Sequence, residues 1–382
     1  MRARRTALTS TTAVAAITAL LAGCSRPAPR EVARSADTKL EPVASASGAA
    51  TPRPDPHRSP WAAMRLLSST DGARTVSDDR GAFRALPFAD VRLFGWNGDA
   101  RSVLGVRGDV IVRCLVDSHG EPCRPLFEMR NVWRLASAPG DARVLAVPGH
   151  GDEAWVVDTT TGAQRSTPAR EGAWLDDHRL VFVPYPAKQM HVWDVTKESD
   201  ALLGAPLYVG PGAPEMREIV PSPDAKWIAV VTRRSETHAN GVVDSSYGLA
   251  IQDATTGEWK PRFESAGHQA GPDALSHGAP PLWSPDGARL VYVDEGTLTV
   301  LEAPRFTARA LEAKAHIALG WLDSTRVAYL VIDHVDDSMV RRYGHGVVEQ
   351  FSDVVVLDVD TGVETKLTEG GALQGATFTR VP

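Results

Sequence analysis

From about residue 61 onward, apolar residues come in short runs of four, each entered through a polar turn, and one such unit recurs along the chain. Its clearest copy is Trp283-Ser284-Pro285-Asp286-Gly287-Ala288-Arg289 running into Leu290-Val291-Tyr292-Val293. A close copy is Pro221-Ser222-Pro223-Asp224-Ala225-Lys226-Trp227 running into Ile228-Ala229-Val230-Val231. Looser copies lead through Arg143 into Val144–Val147, through Trp174 and Arg179 into Leu180–Val183, through Trp321 and Arg326 into Val327–Leu330, and through Trp96 to Arg101. Short β-branched and aromatic runs bounded by Gly, Pro, Asp and Ser predict strands. A second marker follows five of the six units: a strand that ends on Asp and a tight turn, at Asp117-Ser118-His119-Gly120, Asp158–Gly162, Asp194–Lys197, Asp253–Gly257 and Asp358–Gly362. In such turns Asp and Thr side chains bond backbone amides while Gly takes the positive φ. Each repeat is therefore predicted to hold two hairpins, strands a to b and c to d.

The six anchors at 101, 143, 179, 227, 289 and 326 stand about 45 residues apart on average, the length of a four-stranded propeller blade. The aromatic-Ser-Pro-Asp-Gly turn of 283–287 resembles the TolB-like and WD40-like β-propeller repeats; the Trp-Asp ending and Gly-His pair of WD40 blades are largely absent, which turns the resemblance toward the TolB-like group. It implies an all-β propeller of four-stranded antiparallel blades over residues 61–382. Ser69–Val76 looks like one more turn and strand, and Ala372–Val381 like a strand awaiting partners. Joined, they predict a seventh, split blade that closes the ring and removes its open edges, with six blades as the alternative. Only 27 residues separate Arg74 from Arg101, short for a full blade.

In a meander the a–b and c–d turns share one face of the ring and the b–c and d–a connections the other. The long insertions fall on that second face: b–c loops over roughly 232–246 and 332–352 and a d–a loop over roughly 265–280. Long loops are commonly functional, so this face near the channel mouth is the expected binding surface. Its polar cluster is Asp333, His334, Asp336 and Asp337 followed by Arg341, Arg342, Tyr343 and His345. That mixture suits a divalent cation or an anionic group, against the plainer reading of a solvated loop. His238, His268 and His277 lack ligand spacing, and no metal is expected.

The N-terminus adds a location. Arg2, Arg4 and Arg5 precede an uncharged, mostly apolar run from Thr6 to Leu21, the layout of a secretory signal and shorter than the ~20 residues of a membrane-spanning helix. Its end, Leu21-Ala22-Gly23-Cys24, resembles the lipobox of bacterial lipoproteins, which implies cleavage of residues 1–23 and lipid on Cys24. The alternative is an ordinary signal with a chance cysteine. Two or three acyl chains would hold the protein on a membrane, the outer one if the cell has one, since Ser25 and not Asp follows the cysteine. Residues 24–60, rich in Pro, Ala and Ser, read as a tether that cannot bury enough surface to order itself. The remaining cysteines, Cys114 and Cys123, flank the turn at 117–120; if 116 and 121 close that turn the two face each other across a hairpin, which predicts a disulfide. Free thiols or a metal pair are the alternatives.

With a net charge of −6 and no basic run beyond the signal, nucleic acid is not an expected partner. No Gly-x-Ser-x-Gly elbow, P-loop, Gly-x-Gly-x-x-Gly or His-Glu-x-x-His occurs, so no catalytic residue and no cofactor is assigned. The leading expectation is a monomeric, non-catalytic envelope module holding a protein or peptide partner. The second is an enzyme or carbohydrate-binding propeller with carboxylates and aromatics converging on the channel, and the third a sensor of a small ligand or metal.

Overall fold

The structure is a computed structural model; it describes residues 59–382 apart from 71–72, 98–99, 119–121, 150–152, 185–188, 208–214, 238–242, 261–262, 265–279, 295, 337–348, 372, 374–375 and 382. After a 3-10 turn at Pro60–Ala63, strands β1 (Met64–Thr70), β2 (Ala73–Ser77) and β3 (Phe83–Ala85) form one antiparallel meander. Six four-stranded meanders follow: β4 (Arg92–Trp96) to β7 (Cys123–Glu128), β8 (Val132–Ser137) to β11 (Gln164–Thr167), and β12 (Ala173–Trp174) to β15 (Ser199–Leu203). Then come β16 (Glu215–Pro221) to β19 (Phe263–Glu264), β20 (Leu282–Trp283) to β23 (Thr307–Lys314), and β24 (Ile317–Trp321) to β27 (Glu364–Lys366). Finally β28 (Ala376–Arg380) returns to β1, pairing Met64 with Arg380 through Ser68 with Ala376. The result is a seven-bladed propeller in which the chain's last strand is strand a of blade 1.

The first strands of neighbouring blades adjoin one another from β20 through β24, β28, β4, β8 and β12 to β16, which makes strand a the innermost of each blade. Apolar clusters sit between blades, not within them. One joins Val291, Val293 and Val300 of blade 6 to Val327, Tyr329 and Leu357 of blade 7; another joins Met64 and Leu66 of blade 1 to Leu330, Val354 and Val356 of blade 7. A middle strand is thus covered on both faces. This is why Val144–Val147 and Leu290–Val293 read as unbroken apolar runs without alternation.

The recurring turns do what their side chains dictate. Ser284 Oγ donates to Asp286 Oδ1 at 2.6 Å and accepts from the Arg289 amide at 2.8 Å, and Ser222, Asp224 and Trp227 repeat the arrangement at 2.6 and 2.9 Å. Blades 4 and 7 solve the same turn differently: Asp176 and Asp323 accept from two following amides and bind the guanidinium of Arg179 and Arg326 at 2.7 and 2.6 Å. In the c–d turns Asp158, Asp194, Asp253 and Asp358 each accept from the amides two and three residues on, and Gly162, Gly257 and Gly362 take φ near +74°.

Polar bonds stitch the seams. Trp174, Trp283 and Trp321 close strand a of their blades, and each donates its indole N–H to a carbonyl on strand a of the preceding blade, those of Ala136, Val220 and Leu282, at 2.8–2.9 Å. On the outer strands, Arg84, Arg165 and Arg309 donate to the Val116, Val195 and Val359 carbonyls in the next blade's c–d turn at 2.6–3.2 Å, and Arg124 reaches Thr160 at 3.4 Å.

Around the expected turn at 69–76, β1 and β2 pair from Leu67 with Val76 to Thr70 with Ala73 as strands b and c of blade 1. Blade 1 receives only strands b, c and d from the N-terminal side, so Arg74 lies on strand c. The 27-residue spacing to Arg101 is short for that reason.

Candidate functional site

The looped face carries its insertions differently from the expectation. The segments read as loops over 232–246 and 332–352 are mostly strand: β17 (Trp227–Thr237) pairs with β18 (Val243–Asp253) out to Thr237 and Val243, and β25 (Arg326–Asp336) with β26 (Glu349–Asp358) out to Asp336 and Glu349. Polar residues without alternation, such as Arg233-Arg234-Ser235-Glu236, carry no strand signal. The ladder begun in the blade extends them. Beyond the blade, each hairpin is a two-stranded ribbon, since β16 pairs with β17 only as far as Arg233 and β19 with β18 only at Gly248 and Leu249.

Asp333 is exposed at a bulge in β25, and His334 and Asp336 pair with Phe351 and Glu349. The remaining residues of that cluster, Asp337, Arg341, Arg342, Tyr343 and His345, lie outside the described residues, as do His238, His268, His277 and the lipobox Leu21, Ala22, Gly23 and Cys24. Among the described residues no group of three His, Cys, Asp or Glu could hold a metal ion. Cys114 and Cys123 form a disulfide between β6 (Val110–Leu115) and β7. The Leu115 amide donates to the Pro122 carbonyl, which makes 114 and 123 the adjacent non-hydrogen-bonded pair, where side chains stand closest.

Sequence reasoning missed a buried acid in blade 7. Asp353 on β26 is 2% exposed; its carboxylate binds Lys366 Nζ at 2.9 Å and accepts from Thr368 Oγ1 at 3.2 Å and the Gly371 amide at 3.1 Å. Burial pushes the carboxyl up, but the bonds from Lys366, Gly371 and Thr368 outweigh it and hold the group below the usual carboxylate range. These partners lie at the start of the crossover from β27 to β28. Asp353 thus fastens the path that carries the chain from the rim of blade 7 to the centre of blade 1.

A second unforeseen arrangement lies on the innermost strands. β4, β8, β16 and β24 each contain a bulge, between Leu93 and Gly95, Val132 and Arg134, Met216 and Glu218, and Ala318 and Gly320. A bulge re-aims the side chains beside it. In β8, Val132 and Leu135 are buried while Trp133 and Arg134 between them are not, and Trp133 is 58% exposed. In β16, Arg217 is exposed and bound to Glu215 at 2.5 Å, and Glu218 is half-buried. Between these strands, blade 4 contributes an inner strand of only two residues, β12. Ahead of it, Glu171 is exposed in a turn fixed by the Gly172 amide bonding to the Ala169 carbonyl at 3.0 Å and by Arg170 bonding to the Gly149 carbonyl at 3.2 Å. Burial pushes the Glu218 carboxyl up, with Arg134 pulling it down and Glu171 pushing it up to smaller extents.

The sequence matches no protein-family model and no curated protein sequence. Among solved structures the chain is similar to the tricorn protease, at a TM-score of 0.50 and 12% identity over 79% of this chain. It spans about a third of that protein, 34% of its length. It is also similar to a putative 6-phosphogluconolactonase from Bacteroides uniformis, at a TM-score of 0.50 and 13% identity, covering 83% of this chain and 99% of that one. At such identities the likeness concerns the β-propeller fold alone.

Proposed function

We propose that the protein is an envelope lipoprotein, lipidated on Cys24, whose propeller is a non-catalytic scaffold presenting the ribbons of β17–β18 and β25–β26 to a protein or peptide partner. The observation that carries this reading is the asymmetry of the ring. On one face the a–b turns at 222–227, 284–289 and 323–326 and the c–d turns at 158–162, 253–257 and 358–362 are tight and internally bonded, whereas the other face projects two ribbons from blades 5 and 7. An extended segment of a partner can add as a further strand to such a ribbon. The buried Cys114–Cys123 disulfide is in keeping with an oxidising compartment outside the cytoplasm. The Arg-rich head, apolar run and Leu21-Ala22-Gly23-Cys24 supply the export and anchoring signals.

Cross-linked capture from native envelopes tests this, comparing the intact protein with a form in which 234–246 and 334–350 are each replaced by a short Gly-Ser turn. A specific envelope protein held by the first and lost by the second is the expected result; equal capture, or none, refutes the ribbon surface. In the same cells Cys24→Ala is expected to abolish labelling with a fatty-acid analogue and release the protein from the membrane fraction.

A further inference from the structure

We propose that the seam of blades 2 and 3, where their inner strands begin, anchors an acidic peptide segment, with Arg92 taking a carboxylate and Trp133 the apolar side chain beside it. The inference rests on the reading above only in taking the partner to be a peptide; neither the ribbons nor Cys24 enters it.

A hydrogen bond places the two residues together. The d–a connections lead into the first residues of the inner strands, so Arg92, the first residue of β4, and Trp133, the second of β8, stand on the face that bears the ribbons. Arg92 is exposed, reaches across from blade 2 and donates to the Val132 carbonyl of blade 3. That carbonyl belongs to the peptide bond joining Val132 to Trp133, which brings the guanidinium within about 6 Å of the Trp133 Cα. The same guanidinium lies over the Phe94 ring, 4.7 Å from its centroid, so it is held from two sides. Trp133 is 58% exposed between the buried Val132 and Leu135, at a bulge in the strand. Leaving a Trp largely in water forgoes the burial energy that such a side chain normally contributes to a core.

The charges around the pair select the ligand class. On the connections beside it, Asp90 is ion-paired with Arg107 at 2.7 Å and Asp109 with Arg130 at 3.5 Å, so these acids are already engaged. Arg92 makes no ion pair among the described residues; it touches a carbonyl and a ring, and neither brings a countercharge. A guanidinium has five N–H donors in a fork that fits a carboxylate, and the Val132 carbonyl occupies only one edge of it. The exposed indole beside it offers a flat apolar surface. Arg and Trp are the side chains that most often carry the energy of a protein contact. An extended segment with Asp or Glu next to a large apolar residue presents both matching groups about one strand residue apart, ~3.3 Å along the chain.

The test is a panel of short fluorescent Gly-Ser peptides, each carrying one Asp or Glu next to one Trp, Phe or Leu, with free and with amidated C-termini, titrated by anisotropy against the full chain in detergent. Counterparts with Lys in place of the acid complete the panel. The acidic peptides are expected to bind, amidated or not, and the Lys peptides to fail. Arg92→Gln, which keeps a side-chain N–H for the Val132 carbonyl, and Trp133→Ala are each expected to weaken binding at least tenfold, and Arg92→Lys several-fold. Leu202→Ala, which removes an exposed apolar side chain from the outer strand β15, is expected to change nothing. Because Trp133 is largely exposed, its replacement should leave the melting temperature within about 2 °C; if the Arg92 variants do not fold, Trp133→Ala decides the matter. The form with both ribbons replaced should bind these peptides as the parent does, so a blank panel beside ribbon-dependent capture strikes this proposal alone. Absence of any acidic peptide bound at millimolar concentration overturns it. So does equal binding of the Lys peptides, binding that needs a free C-terminus instead of the acid, or binding that survives both Arg92→Gln and Trp133→Ala.

Discussion

Replacing Asp353 with Ala should loosen the closure of the ring before it affects any other blade. The carboxylate is almost fully buried and has three partners, Lys366, Thr368 and Gly371. The Lys366 side chain is 48% exposed, so solvent takes over its ammonium and the ion pair itself counts for no more than about 1 kcal/mol. The Gly371 amide and the Thr368 hydroxyl lose a charged acceptor in a buried setting, which costs about 1–3 kcal/mol for the amide alone. The sum is about 3 kcal/mol. For a domain of about 320 residues, an unfolding entropy near 2.1 cal/mol/K per residue turns this into a drop in melting temperature of about 4–5 °C. Hydrogen exchange then locates the damage: amides of β28 and the paired positions of β1 should exchange faster, while β9 (Arg143–Pro148) in blade 3 keeps its protection. The same carboxylate makes the closure acid-labile. Its folded pKa lies below the ordinary value near 3.9, so its contribution is fully present above that pH and disappears as pH falls through the lower folded value. A melting temperature unchanged within 1 °C, or a loss of protection spread evenly over all seven blades, would refute the assignment of Asp353 to ring closure.

Two further outcomes follow from the turns and the bridge. Ala225 occupies, at φ +56°, the position that Gly287 holds in the best-formed repeat, so Ala225→Gly relieves left-handed strain of about 1–2 kcal/mol against a smaller unfolded-state entropy cost, and chemical denaturation should show a net gain of about 0.5–1 kcal/mol. The Cys114→Ala/Cys123→Ala double variant opens a short loop and should lose about 2–3 kcal/mol, with reductant destabilising the parent protein by a similar amount and the variant not at all.

The features legible in the sequence are those fixed locally. The Asp-Thr-Gly turns at 158, 253 and 358 and the Ser-x-Asp turn at 284–286 bond within themselves, so their residue types announce them. The Cys114–Cys123 pairing was legible because one turn sets its register. Blade count followed from spacing plus the leftover strands at the two ends. What was hidden depends on distant partners. Asp353 opens the run Val354-Val355-Val356-Leu357 and reads as a solvated strand end; a crossover twenty residues on buries it. Arg84, Arg124, Arg165 and Arg309 share one place in strand d, but this shows only once the strands are aligned. Trp133 reads as core in any strand pattern, and a one-residue bulge reverses its role.

The seams also explain why the two faces of the ring differ. Most interblade arginines end on a–b and c–d turns: Arg143 and Arg289 on the carbonyls of Asp177 and Ser324, and Arg84, Arg124, Arg165 and Arg309 on the c–d turns of the following blades. An insertion in any of these turns would displace a carbonyl that holds two blades together. The b–c and d–a connections mostly bear no such duty, so length can grow there without opening a seam, as it has in β17–β18 and β25–β26. There are two exceptions, and Arg92 on β4, which reaches the Val132 carbonyl at the start of β8, is one. Arg170 ties the connection into blade 4 to the carbonyls of Pro148 and Gly149 in blade 3, on the face otherwise left free. Ala169 beside it is buried among Leu145 and Val147 of blade 3 and Trp174 and Leu180 of blade 4, so the bond reinforces that apolar seam on the face where length otherwise varies.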